Sequence, residues 1–326
     1  MRNGVLSTIG NTPLVRLSNF LEGSPLRLFA KLEGFNPGGS SKDRSAMMIV
    51  EQAWDRREIR SGSTIVESSS GNMGIGLAQA CAYLGLRFIC VVDKKTTGQN
   101  IEILKAYGAE VDVVTSPDPY TGEFLQSRIK RVQELVRTIP NSFWPDQYSN
   151  LDNPLAHHET MREIDVELNG DIDYLFCATS TCGTMRGCAE YIREQNMKTT
   201  LVAVDALGSQ IFGSPAQKRL IPGHGAAVVP KLFQQNLADV CIHVSDVDCI
   251  VGCRRLVQQE AILAGGSSGA VVMAFDQFRD TIRGSKTCVV ILPDRGERYL
   301  DTIYSDTWVQ QNFGEISHLW QREVEV

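Results

Sequence analysis

The chain has 326 residues, enough for one large domain or two of medium size around a buried core. Hydrophobic residues make up 43% and charged ones 21%, an ordinary globular balance, and a net charge of -6 offers no basic field to nucleic acid. Nowhere do about 18 apolar residues run unbroken, and no apolar run of signal-peptide length follows the first four residues, so a soluble cytoplasmic protein with no membrane span is expected.

Taken in order, apolar β-rich runs at 26–32, 64–67, 87–92, 110–114, 174–178, 201–205, 240–244 and 287–292 alternate with helical patterns. The helices are expected near 43–57, 72–84, 99–107, 121–138, 155–168, 184–195, 246–262 and 268–282. Such alternation predicts parallel sheets covered on both faces. The Pro/Asn-rich stretch from Pro140 to Pro154 is the best internal boundary, so two α/β domains with a cleft between them are expected. Ligands in such folds sit where strand-to-helix loops collect. The nine cysteines are scattered, with no C-x-x-C pair; Cys249 and Cys253 lack a histidine or second pair to complete a zinc set. Reduced, mostly buried thiols and no metal are expected. His157 and His158 are adjacent, point apart on a helix, and read as structural or surface residues.

Four strand-to-helix or turn-to-helix segments carry chemistry. Asn36 to Arg44 places Lys42 where a Gly/Pro turn meets a helix. A lysine desolvated at that positive end loses proton affinity and becomes a better nucleophile; a solvated loop lysine is the plainer alternative. Glu67-Ser68-Ser69-Ser70-Gly71-Asn72-Met73-Gly74 follows a strand and opens a helix, so hydroxyls and free backbone N–H groups suit a carboxylate, or serve as a Ser-rich cap. Ser180-Thr181-Cys182-Gly183-Thr184 offers three hydroxyls at another helix start, which suits a phosphate; it matches neither the dinucleotide nor the nucleoside-triphosphate fingerprint. Gly266-Ser267-Ser268-Gly269 opens a last helix and alone passes as a cap.

Together with Gly10 to Val15, Pro222-Gly223-His224-Gly225-Ala226 and Leu292 to Tyr299, these segments resemble the fold type II pyridoxal-phosphate enzymes, in the cysteine synthase and cystathionine β-synthase branch. The resemblance implies a tryptophan synthase β-like fold: two doubly wound α/β domains with the cofactor, pyridoxal 5'-phosphate, in the cleft. It implies a smaller mobile domain at 43–148, and a larger domain of 1–42 plus 149–326. Lys42 is then the lysine that carries the cofactor and later takes the substrate α-proton. Residues Ser180, Thr181, Cys182, Gly183 and Thr184 hold the phosphate, Asn72 bonds the ring oxygen, and Ser267 faces the pyridine nitrogen. Ser69, Ser70, Gly71 and Met73, with Gln147, hold the substrate carboxylate.

The sulfhydrylases of that branch usually carry Thr-Ser-Gly-Asn-Thr-Gly and Gly-Thr-Gly-Gly-Thr; here Met73, Ser180 and Cys182 depart from them, which implies a different shape on the substrate side. At about 100° per residue, Phe124, Leu125, Ile129, Val132, Leu135, Val136 and Ile139 share one arc of the helix 121–138. Arg128 falls inside that arc, while Lys130 and Arg137 point away. A buried arginine requires an anionic partner, either a structural carboxylate or a phosphate or carboxylate on a substrate. Tyr148 could add a phenolic donor.

These departures, with Asp146-Gln147-Tyr148, Gly208-Ser209 and Tyr304 to Trp308, are similar to the N-(2-amino-2-carboxyethyl)-L-glutamate synthases, which make a 2,3-diaminopropionate precursor for siderophores or antibiotics. That resemblance implies β-replacement on O-phospho-L-serine by L-glutamate, with Arg128, Tyr148 and Ser180 on the leaving phosphate, in a homodimer. A cysteine synthase, a serine/threonine dehydratase and a catalytically silent paralogue are the rival readings.

Overall fold

Strand and helix alternate through the computed structural model, which describes residues 2–21, 23–120 and 122–321. The strands are β1 (Leu14–Arg16), β2 (Arg27–Leu32), β3 (Thr64–Ser68), β4 (Arg87–Asp93), β5 (Glu110–Val114), β6 (Ser142–Phe143), β7 (Tyr174–Ala178), β8 (Thr200–Ala206), β9 (Val240–Val244) and β10 (Thr287–Leu292). The α-helices are α1 (Lys42–Asp55), α2 (Asn72–Leu84), α3 (Gly98–Ala106), α4 (Phe124–Thr138), α5 (Asp152–Leu168), α6 (Gly183–Glu194), α7 (Asp246–Glu260), α8 (Gly266–Phe278) and α9 (Asp306–Phe313). All eight expected strands and all eight expected helices are present, and β1, β6 and α9 are additional. For α4, residue 121 lies outside the described residues, and the helix proper opens at Phe124.

The chain divides into two compact units, Met1–Gly10 with Asn36–Ala156, and Asn11–Phe35 with His157–Val326. The first unit thus contains the expected 43–148 segment but also takes the chain's start, residues 36–42 and residues 149–156. Packing explains the additions. Leu6 and Ile9 share a buried cluster with Met47 and Ala80. Asn153 accepts from the Ser45 hydroxyl at 2.8 Å and donates to the Gln147 carbonyl at 2.8 Å, and Arg56 pairs with Asp152 at 2.6 Å.

In the first unit the sheet order is β5-β4-β3-β6, all parallel. Its two central strands alternate between two cores. Ile65, Phe88, Cys90 and Val92 face the cluster with Ala46 of α1, Leu77 of α2 and Leu104 of α3; Val66, Ile89 and Val91 face Val132 of α4. The second unit holds six strands in the order β1-β2-β10-β7-β8-β9, parallel except where β1 runs against β2. There Phe176, Val202, Val204 and Val290 face the cluster of α7 and α8, while Leu175, Cys177, Ala203 and Ile291 face that of α5 and α6. Strands buried on both faces read as continuous apolar runs, which is why they stand out in the sequence. In each unit, parallel pairing gathers the strand-to-helix loops at one end of the sheet.

All nine cysteines are free, eight of them buried. No described helix is long and apolar enough to cross a membrane, and among the described residues no cluster of three His, Cys, Asp or Glu could hold a metal.

Candidate active site in two sets of loops

In the first unit α1 begins at Lys42, as the turn before it predicts. That turn is tight because Gly38 N–H donates to the Asp43 carboxylate at 2.6 Å, where a Cβ on residue 38 would collide with the same group. A carboxylate in the first turn offsets part of the cost of a cation at the helix start. Lys42 is half-buried, with Nζ 3.4 Å from Ser41 Oγ. Helix α2 comes so close that a Cβ on Gly76 would lie 3.1 Å from the Lys42 carbonyl oxygen. This close approach ties the lysine's backbone to the helix opened by Asn72.

The β3–α2 loop folds round Ser69, whose Oγ accepts the Gly74 N–H at 2.9 Å. Ser70, Gly71 and Asn72 are half-buried beside it. The Met73 side chain packs in the core with Ala46 and Ile75, which leaves its backbone N–H for a ligand. Gln147 belongs with this loop, because its amide Nε2 donates to the Ser68 carbonyl at 3.3 Å.

Behind both stands Glu67, which the sequence places at the junction of a strand pattern and the Ser-rich segment without giving it a role. Its carboxyl accepts the Ser68 N–H at 2.7 Å, the Trp144 indole N–H at 3.1 Å and the Gln147 N–H at 3.2 Å. Burial pushes its pKa up to about 7, against the opposing pull of those hydrogen bonds. Glu67 therefore positions Gln147 and the end of β3 together. The signal that could have found it is a charged residue at the end of an apolar strand just before the Ser-rich loop.

Arg128 lies where the helical wheel puts it, with its side chain 12% exposed, while Lys130 and Arg137 are exposed. Its Nε is 3.3 Å from Asp93 Oδ2 at the end of β4, without hydrogen-bonding geometry. Asp93 is thus the structural carboxylate that the sequence left open. Tyr148 is half-buried, directly after Gln147 in a turn whose Asp146 has φ +44°.

In the second unit β7 runs into α6 through the hydroxyl-rich loop. Thr179 anchors it, its one hydroxyl proton shared between the Val204 carbonyl at 3.2 Å and Asp205 at 3.1 Å, and its carbonyl accepting Gly225 N–H at 2.6 Å. Cys182 caps α6 with φ +67°, a left-handed conformation that costs a non-glycine residue roughly 1–2 kcal/mol. Its side chain sits in the unit's core, so of the two altered loop residues only Ser180 is left to change the ligand side. Burial, with the charge of Asp205, pushes the Cys182 thiol up to about 12, which makes it an inert thiol despite its place at a helix start.

His157 is structural, one of the two readings that the sequence allowed. It is fully buried, its Nδ1 3.1 Å from Thr160 Oγ1 and its Nε2 3.2 Å from Thr184 Oγ1, while His158 faces Glu190 and Glu194. In the tautomer that carries its proton on Nε2, His157 donates to Thr184 and leaves the Thr184 hydroxyl to donate to an anion. Ser267, in the first turn of α8, lies under the 222–225 turn, where a Cβ on Gly223 (φ +101°) would lie 3.5 Å from Ser267 Oγ.

Residues 5–294 match the family model described as pyridoxal-phosphate dependent enzyme. The chain belongs to that family. Its cofactor is therefore pyridoxal 5'-phosphate, and its fold that of the tryptophan synthase β-like, fold type II enzymes. Among solved structures it is similar to O-ureido-L-serine synthase, at 30% identity over 97% of both chains with a TM-score of 0.85. It is also similar to the O-acetylserine-dependent cystathionine β-synthase of Helicobacter pylori, at 31% identity over 94% of this chain and 99% of that one, TM-score 0.86. With the O-acetylserine sulfhydrylase isoform 3 of Entamoeba histolytica it shares 34% identity over 93% and 92% of the two chains, TM-score 0.86.

The residues present fit the cofactor's chemistry. A half-buried lysine at a helix start suits an aldehyde. The start of α6, entered through a left-handed residue at 182, has its helix-end N–H groups close in sequence to the hydroxyls of Ser180, Thr181 and Thr184, which suits a phosphate. The turn at Gly223 has φ +101°, and a side chain there would fill the space above Ser267.

Proposed function

We propose that the protein is a β-replacement enzyme joining O-phospho-L-serine and L-glutamate into N-(2-amino-2-carboxyethyl)-L-glutamate, with release of phosphate. The relatives named above act, by their names, on or toward β-substituted serines, which supports the reaction class. The cofactor, when bound, supplies an electron sink that labilises the α-proton of an amino acid and lets its β-substituent leave. Lys42 binds it and serves as general base for the α-proton. Asn72 and Ser267 address the ring, and a hydroxyl at 267, unlike a carboxylate, leaves the ring nitrogen unprotonated and so favours β-elimination chemistry over transamination. Residues 180–184 hold the phosphate of the cofactor. Ser69, Ser70 and the N–H groups of Gly71 and Met73, with Gln147, hold the substrate carboxylate.

The observation that carries the choice of leaving group is Arg128. A largely buried guanidinium faces one carboxylate among the described residues, without a hydrogen bond from Nε, and its remaining donors suit a second, stronger anion. With Tyr148 of the same unit it binds the departing phosphate, so O-phosphoserine is preferred to the uncharged O-acetyl ester. The same reading includes a cytoplasmic homodimer, closure of a mobile 43–148 segment on substrate, and a product used as a 2,3-diaminopropionate precursor for a siderophore or antibiotic. A cysteine synthase using sulfide is the second reading, favoured by the 34% identity to the Entamoeba sulfhydrylase.

Incubation of the purified protein with O-phospho-L-serine and either L-glutamate or sulfide, followed by phosphate release and product mass, separates the two. Glutamate-dependent formation of the coupled amino acid is expected; fast cysteine formation with no glutamate adduct refutes the proposal. Arg128→Ala should lower kcat/KM for O-phosphoserine by about a hundredfold, the scale of losing one partner of a buried charge pair. For O-acetylserine the loss should be only a few-fold, and equal losses would make Arg128 merely structural.

A further inference from the structure

At the carboxyl end of β4 three basic residues, Lys94, Lys95 and Arg128, gather near Asp93 and Phe124. Lys94 and Lys95 follow Asp93 directly and are exposed, yet both reach back over the same ring, with Nζ 5.6 and 5.2 Å from the centre of Phe124. Phe124 is the first residue of α4, and Arg128 lies four residues on, along the same helix face. Asp93 is already engaged twice, its Oδ1 accepting the Lys95 N–H at 2.8 Å and its Oδ2 facing Arg128. Neither lysine has a carboxylate partner among the described residues. Two unmatched positive charges therefore stand together on a chain whose net charge is -6.

Their position matters more than their number. β4 pairs in parallel with β3, Ser68 opposite Val91, and the Ser69 N–H donates to the Val91 carbonyl at 3.2 Å. Asn100, in the helix that opens just after the lysines, donates its amide to the Ser70 carbonyl at 2.9 Å. The lysine loop and the loop assigned above to the substrate carboxylate are thus neighbours at one end of one sheet.

We infer that Lys94 and Lys95, steadied by the face of Phe124, form the subsite for the acceptor, a dicarboxylic amino acid held by its carboxylates. The inference deepens the proposed function and rests on it. Two exposed ammonium groups attract both carboxylates and steer the dianion inward, and Phe124 limits where their stems can swing. The same positive field disfavours the protonated amine, so the acceptor nitrogen is held in the uncharged form needed for attack.

The test uses holoenzyme and the Lys94→Ala/Lys95→Ala double variant, whose thermal midpoint should be unchanged because both side chains are exposed. At saturating O-phosphoserine, KM for glutamate should rise about tenfold, several times more than KM for O-phosphoserine, at the scale of two exposed ion-pair contacts. The Lys94→Arg/Lys95→Arg variant should restore it. A rise that is equal for both substrates means general attraction of anions and overturns the inference, as does no change. Calorimetric titration with glutarate, a dicarboxylate that cannot react, gives an independent readout. Binding should weaken about tenfold in the alanine variant; equal binding overturns the inference. Wild-type protein that binds glutarate through these lysines but turns over no glutamate would sink the proposed function and leave the subsite standing.

Discussion

At the scale of single residues, Glu67 shows how a charge with no place in the chemistry can govern it. Its carboxyl orients three N–H donors, one of them the backbone of Gln147. Because its folded pKa is raised to about 7 from 4.5, the folded chain binds a proton there that the unfolded chain has released. Stability from this group is complete below about pH 4.5 and is lost as the pH rises toward about 7; a shift of this size corresponds to about 3 kcal/mol. Glu67→Gln removes the titration but turns an amide donor toward one of the three N–H groups. The variant should therefore be destabilised at pH 5, by about 1–3 kcal/mol, with the deficit shrinking by pH 8. Thermal midpoints of both proteins across that range check it. A constant deficit at every pH would mean that Glu67 is ionised throughout.

At the scale of elements, the glycines of the Gly265 to Gly269 turn do more than cap a helix. Where α7 crosses α8, a Cβ on Gly269 would lie 2.0 Å from the Cys249 carbonyl oxygen, and one on Gly252 would lie 2.3 Å from that of Gly269. Backbone meets backbone there, with no flexible side chain to yield. Gly269→Ala must force the helices apart and should cost more than about 3 kcal/mol, seen as a lowered thermal midpoint or loss of soluble protein. Ser268→Ala next to it is the control: that hydroxyl is buried without a partner among the described residues, so its removal should cost nothing. A Gly269→Ala protein as stable as the wild type would show that the crossing is looser than these distances.

Much of this level was legible beforehand. Two-faced burial writes itself as apolar runs, so β3, β4, β7, β8 and β10 and the helices between them were foreseen within a few residues. The three-residue β1 and two-residue β6 are too short to carry a period, and they form because neighbouring strands offer free edges. Side-chain partners were less accessible. Asp93 opposite Arg128, His157 behind Thr184 and Glu67 behind Gln147 are 35, 27 and 80 positions apart, joined only when strands, helices and loops pack together. Cys182 and Met73 were placed in the right loops, but which way a side chain turns from a loop into a core depends on the neighbouring helix.

At the scale of the whole molecule, the cofactor should count as part of the fold. A group that binds the folded chain and not the unfolded one stabilises by mass action, about 2.7 kcal/mol at a hundredfold excess over Kd. Stripping pyridoxal phosphate should therefore lower the thermal midpoint by several degrees, and adding it back should restore the midpoint. Inorganic phosphate supplies a sharper version of the test. If the N–H groups at the start of α6 and the hydroxyls of Ser180, Thr181 and Thr184 form an anion cradle, phosphate alone should protect the stripped protein, and sulfate should do so nearly as well. The protection should be largely lost in Thr184→Val, which removes the hydroxyl that lies 3.2 Å from His157 Nε2. Protection by the full cofactor but none by phosphate at any concentration would show that the loop does not bind an anion by itself, and that the cofactor's hold comes from its ring and from Lys42.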